Sequence, residues 1–211
     1  MEVKEYWNSV SNEKEFTTPF QIDEFSKYVD KKGKILDIGC GYGRTLNELY
    51  NVGYKNLIGI DFSEGMIKRA KEKYHNIDFY VKNGEKLDIK DSSIDGVILL
   101  GVLTCIVSGD KQKGLINEIY RVLKKGGIIY INDFLLNEDK RNKERYEKYK
   151  DKYGVYGAFE LSEGGSFRHH TEKWIDELLY CFKQKCFNKL VYKTMNGHTS
   201  NGFYYIGSKN N

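Results

Sequence analysis

Three glycines, Gly39, Gly41 and Gly43, fall within five residues directly after an apolar run in KILDIGCGYGR, residues 34–44. Clustered glycine gives up chain entropy and side-chain packing, so it marks backbone that something must approach closely. Where a strand hands over to a helix, such a turn lets a ligand reach amides at the helix N-terminus. Position 44 is Arg, so the run reads G-x-G-x-G and misses the dinucleotide fingerprint G-x-G-x-x-G. Asp37 precedes the glycines, and Asp61 closes the next apolar run, NLIGID, where a carboxylate can accept two hydrogen bonds from a ribose diol. KNGEKL, residues 82–87, adds a polar side chain at Asn83 and free backbone amides able to read an adenine edge. The ligand these residues describe is an adenosine without a pyrophosphate clamp.

The elements that must hold them follow from periodicity. Short runs rich in Ile, Val and Leu recur as KILDI, NLIGI, IDFYV, GVILL and GIIYIN, and helical spacing occupies 44–51, 63–74 and 111–123 between them. Met66, Ile67, Ala70 and Tyr74 mark one helical face, with Ser63 placed as the N-cap. KKGG at 124–127 reads as the cationic, glycine-capped end of the third helix. Strands buried on both faces and alternating with helices predict a doubly wound, mostly parallel α/β sheet, Rossmann-like, with helices on both faces. FNKLVYKTM and GFYYIGS lie too close together for a helical crossover and predict an antiparallel C-terminal hairpin, which brings the sheet to seven strands.

At 211 residues the chain suits a single domain. It divides into an aromatic helical segment at 1–30, a ligand-binding core at 34–132, a long connection at 133–170, and a helix from Thr171 followed by the hairpin to 211. A connection as long as 133–170 is expected to act as a lid or binding loop. No apolar run is long enough to span a bilayer, and the charged start MEVKEYWNSV does not read as a signal peptide. Four cysteines without C-x-x-C spacing suit reduced thiols, so a cytoplasmic protein with no metal site is expected. The net charge of +4 carries no concentrated basic patch, and a nucleic-acid partner is not expected.

The motifs in order resemble the class I S-adenosylmethionine-dependent methyltransferases across residues 34–135. ILDIGCGYGR is similar to the family's first motif, whose backbone lies along the amino-acid end of the cofactor; Asp37, Gly39, Cys40 and Gly41 fall there, with the Cys40 thiol read as a space-filler rather than a nucleophile. In IGIDFSEGMI, Asp61 matches the ribose-binding acid, and Phe62 and Met66 match the apolar positions that sandwich adenine. VKNGEKLDIKDSSIDGVILLGVL resembles the segment that reads adenine and then carries the fourth strand, which places Asn83, Gly84, Glu85, Leu100 and Gly101 at the cofactor. Asn83 stands where the family often has Asp, and its carbonyl still accepts from the adenine amino group. The resemblance implies S-adenosyl-L-methionine as cofactor and methyl transfer to N, O or S of a small-molecule acceptor by in-line displacement.

Transfer from a sulfonium needs a general base only when the nucleophile is protonated and weakly acidic. After the fourth strand many relatives acting on small molecules read LEHI; this chain reads LTCI, with Thr104 and Cys105. His169 and His170 in GGSFRHHTEKW, with His198 in TMNGHTSNGF, are the candidate catalytic residues on the acceptor side, able to take a proton near neutral pH. Residues 137–153 interleave charges and space Tyr146, Tyr149 and Tyr153 as a solvated amphipathic helix. A tRNA-modifying methyltransferase, and a cofactor-binding regulatory subunit without its own activity, are the alternatives the sequence leaves open.

Overall fold

In the computed structural model, which describes residues 2–84 and 86–210, two short helices, α1 (Val3–Ser9) and α2 (Ile22–Ser26), precede strand β1 (Lys34–Ile38). Helices and strands then alternate through α3 (Arg44–Asn51), β2 (Asn56–Asp61), α4 (Glu64–Lys73) and β3 (Asp78–Val81); β4 (Ile94–Leu100) follows β3 without a helix between, and α5 (Gly109–Val122) and β5 (Leu123–Phe134) come next. Next come α6 (Lys140–Tyr153), a strand pair β6 (Ala158–Glu160) and β7 (Ser166–Arg168), and α7 (Glu172–Leu179). The hairpin β8 (Phe182–Lys193) and β9 (Thr199–Lys209) follows.

Seven strands form one sheet in the order β3-β2-β1-β4-β5-β9-β8. β1 to β5 pair in parallel, and β9 runs antiparallel to both β5 and β8, as the sequence predicts. The chain moves outward from β1 in one direction through β2 and β3, and in the other through β4 and β5. That reversal opens a crevice at the carboxyl ends of β1 and β4.

Strand periodicity covers both faces. Leu36, Ile38, Val97, Leu99, Ile129 and Ile131 meet α5 and α7 on one side. Their neighbours Ile35, Ile98, Ile128 and Tyr130 meet α2, α3 and α4 on the other. Each fully buried Leu or Ile contributes roughly 1.5–3 kcal/mol. Ser63 caps α4, accepting from the Met66 amide at 3.2 Å, and Thr171 caps α7 through the Trp174 amide at 3.1 Å.

Two expectations change. α5 ends at Val122 and KKGG belongs to β5, not to a helix cap; the register with β4 shifts there, and Gly126 takes φ 73° within the irregularity. The 133–170 connection also holds its own antiparallel pair, β6 with β7, above the main sheet. A third aromatic cluster of Tyr6, Tyr146, Phe159 and Phe167 welds α1 to α6 and this pair.

Candidate functional site

The carboxyl ends of β1, β2 and β4, with the segments folded over them, line a cavity of about 1000 Å³. That is the upper end of the ~300–1,000 Å³ range of small-molecule sites, room for two reactants.

Its floor begins at the glycine turn. Gly39, Gly41 and Gly43 have φ of 72°, 53° and 82°, backbone that side chains rarely adopt. Their bareness is spent partly on the protein itself: a Cβ on Gly39 would meet Val102 at 2.6 Å, and one on Gly41 would strike the Phe16 ring. Gly39 faces the cavity, whereas Cys40 and Gly41 lie outside its lining. The Gly41 amide donates to Asp61 Oδ2 at 2.9 Å. Cys40 is a buried filler packed toward Gly59.

Asp61 is buried at the end of β2 and lines the cavity. Its Oδ1 accepts from the Ser63 amide at 2.8 Å. A carboxylate offers about four acceptor sites, so two remain for a ligand. Burial pushes its carboxyl above the usual range, against the two amide hydrogen bonds that favour the charged form. Asp37 is still more perturbed: burial, then the neighbouring Asp61 charge, raise it well above the usual range. Its Oδ1 has no hydrogen-bond partner among the described residues, and Asp37 does not line the cavity.

Phe62, Met66, Asn83, Gly84, Leu100 and Gly101 all line it. Gly101 has φ 68°, and a Cβ there would project into open space. Glu85 lies outside the described residues. Bare floor at Gly39 and Gly101, apolar walls at Phe62 and Met66, and unspent acceptor sites on Asp61 fit an adenosine-bearing cofactor.

Three segments distant in sequence form the roof. Tyr6, Trp7 and Phe16 come from the N-terminal segment, Phe159, Phe167 and His169 from the 133–170 connection, and Asn196 and His198 from the β8–β9 turn. They are tied together: Lys14 Nζ donates to Asn196 Oδ1 at 2.8 Å, Thr17 Oγ1 to the Lys193 carbonyl at 2.8 Å, and Asn137 Nδ2 to Ser200 Oγ at 3.1 Å.

The histidines part company. His169 lines the cavity, its Nδ1 2.6 Å from Tyr146 Oη and 3.2 Å from Asn137 Nδ2. With both groups donating to Nδ1, the ring proton is assigned to Nε2. His170, one residue on, turns into the core: its Nε2 sits 2.9 Å from Gln112 Nε2 and its Nδ1 3.1 Å from the Phe134 carbonyl. It is not part of the cavity lining, which corrects the expectation for that residue. Alternation in extended backbone is the reason, since Phe167 and His169 face the cavity while Arg168 and His170 face the opposite way. Nor do the buried pair take a proton near neutral pH. Burial holds His169 well below the ordinary imidazole range, with Arg145 adding to it, and lowers His170 to about 3. His198 is exposed at the cavity rim.

Sequence reasoning missed Arg141 and Arg145, which line the cavity from α6. Their spacing of four residues, which stacks them one turn apart beside the buried Asn142 and Tyr146, was the available signal.

A family model described as a methyltransferase domain matches residues 36–131. The chain is similar to the carboxy-S-adenosyl-L-methionine synthase of Campylobacter fetus, 35% identical over 147 residues that cover 65% of this chain and 61% of that protein. It is also similar to a ubiquinone/menaquinone biosynthesis C-methyltransferase of Campylobacter jejuni, 34% identical over 119 residues, 54% of this chain and 49% of that protein. The chain thus spans less than two thirds of both relatives' lengths. Among solved structures, an S-adenosylmethionine-dependent methyltransferase of Methanosarcina mazei superposes with a TM-score of 0.84 at 28% identity, over 92% of this chain and 99% of that one.

Proposed function

The chain belongs to the class I S-adenosylmethionine-dependent methyltransferases, and from that premise we propose that it methylates a small-molecule acceptor held in the roofed cavity. S-adenosylmethionine, the family's methyl donor, supplies an electrophilic methyl that an acceptor lone pair takes in line as the carbon–sulfur electrons return to sulfur. Asp61 is assigned the ribose, Phe62 and Met66 the adenine faces, Asn83 and Gly84 the adenine edge, and Gly39 and Gly101 the bare surface beneath the donor. Tyr6, Trp7 and Phe16 exclude water and hold the acceptor in alignment. The N-terminal segment and the 133–170 connection are read as lid elements of one domain.

The neutral, weakly basic His169 serves as a hydrogen-bond donor through Nε2, not as a base. With His169 not acting as the base, either His198 at the rim takes the proton or the reactive atom of the acceptor arrives already deprotonated or intrinsically nucleophilic. The observation that carries the reading is the buried Asp61 carboxylate, half its acceptor sites unspent, facing a cavity roofed by three chain segments. The test supplies methyl-labelled S-adenosylmethionine with a small-molecule cell extract or with bulk tRNA at physiological salt. Label in the small-molecule fraction alone is expected. Label in tRNA overturns the acceptor class, and label in neither favours a regulatory subunit.

A further inference from the structure

We infer that the acceptor carries an oxyanion, a carboxylate or phosphate, on a flat apolar body, and that Arg145 and Arg141 on α6 receive the anion at the roof of the cavity. This rests on the methyl-transfer reading of the same cavity.

Among the described residues, Arg145 and Lys148 are the cations of α6 without a carboxylate partner, and of the two only Arg145 lines the cavity. Lys140, Lys143, Lys150 and Lys152 each pair with a carboxylate, Glu144, Glu138, Glu147 and Glu160 respectively. Arg145 is partly buried, lines the cavity, and has no carboxylate within ion-pair distance among the described residues. Its guanidinium lies 3.4 Å from the Phe159 ring centroid, and its Nε is buried without a hydrogen-bond partner. The Phe159 ring offsets only part of the cost of desolvating a cation that has no ion-pair partner, and a ligand anion would offset the rest. Guanidinium is also the group best shaped to grip carboxylate or phosphate through two parallel hydrogen bonds. Arg141, one turn earlier, is exposed and reaches its nearest acid, Asp139, only at 4.0 Å.

The surroundings describe the rest of the ligand. Phe159 and Phe167 stack with centroids 6.0 Å apart, and Phe134 stacks on the His169 ring at 5.3 Å. All four line the cavity, giving flat walls beside the guanidinium. His169 Nε2–H adds one more donor. Of the acids that line the cavity, Asp61 stands at the cofactor end and Glu2 and Glu163 are exposed, and none of the three is paired with Arg141 or Arg145 among the described residues. A cationic acceptor, such as a lysine side chain, would meet the wrong charge beneath α6.

The experiment titrates benzoate, phenyl phosphate and the neutral benzamide into the full chain saturated with S-adenosylhomocysteine, by calorimetry. At least one anion is expected to bind about tenfold or more tighter than benzamide, the worth of a charge-assisted pair. Arg145→Gln should erase that preference and Arg145→Lys should retain part of it, with S-adenosylhomocysteine still bound by both. Anions binding no tighter than benzamide, or a preference that survives Arg145→Gln, would overturn the inference while leaving the transferase reading intact. A parent chain that does not bind S-adenosylhomocysteine would overturn both.

Discussion

Asp61→Asn separates two duties of one carboxylate. Oδ2 holds the Gly41 amide and Oδ1 the Ser63 amide, at 2.9 and 2.8 Å. Asparagine keeps one carbonyl oxygen and turns an NH₂ toward the other amide, leaving one buried N–H without an acceptor. That costs about 1–3 kcal/mol of stability. The same exchange removes the charge that would hold both ribose hydroxyls, a loss on the order of 2–4 kcal/mol, or roughly 30- to 1000-fold in Kd. Urea unfolding reads the first effect, and calorimetry with S-adenosylhomocysteine reads the second. Parental affinity in a destabilised variant would reduce Asp61 to a backbone clamp and refute the ribose assignment. An unchanged unfolding midpoint would refute the view that both amides depend on it.

Other outcomes follow from the roof and the core. Deleting the chain up to Thr18 removes Tyr6, Trp7 and Phe16 from the cavity but spares Phe20 and the sheet; methyl transfer should vanish with far-UV circular dichroism preserved, and undiminished turnover would sink the lid. Gly41→Ala forces an alanine into φ 53° against the Phe16 ring, and should cost at least about 1–2 kcal/mol in urea unfolding; an unaltered midpoint would contradict that contact. His170 is lowered from 6.5 to about 3, so as pH falls through that window the unfolded chain gains a proton the fold refuses, and stability drops. Buried Asp133, raised from 3.8 to about 7, acts with the opposite sign: stability falls as pH rises through its own window. His170→Gln should therefore flatten the acid-side loss, and unfolding free energies that stay parallel to the parent's across that window would disprove it.

The β1–β5 core and the Ser63 cap were legible because each rests on local pattern: apolar runs, helical spacing, and a hydroxyl before the helix. That Asp61, Phe62 and Met66 face the cavity was legible because a strand end and the helix after it fix their direction. SFRHH was not. Its residues lie in or just beyond a three-residue strand within a glycine-bearing stretch, too short to show periodicity. Only once the extended backbone is seen does it follow that His169 and His170 point apart. Arg145 was hidden differently. In sequence it is one cation among many on an interleaved helix, and it stands out only when Phe159 covers it at the cavity while four of the helix's lysines find acids.

The position of β9 between β5 and β8 imposes an order of events during synthesis. β8 leaves the ribosome first yet cannot reach β5, because its place lies one strand further out. Until Thr199–Lys209 has emerged, the edge of β5 stands open, a template for pairing with another chain. The β8–β9 turn that carries Asn196 and His198 cannot close the cavity before then either. Partial chains thus carry the glycine turn and Asp61 but no complete roof, and nascent chains of this protein should depend on shielding of that edge until β9 docks.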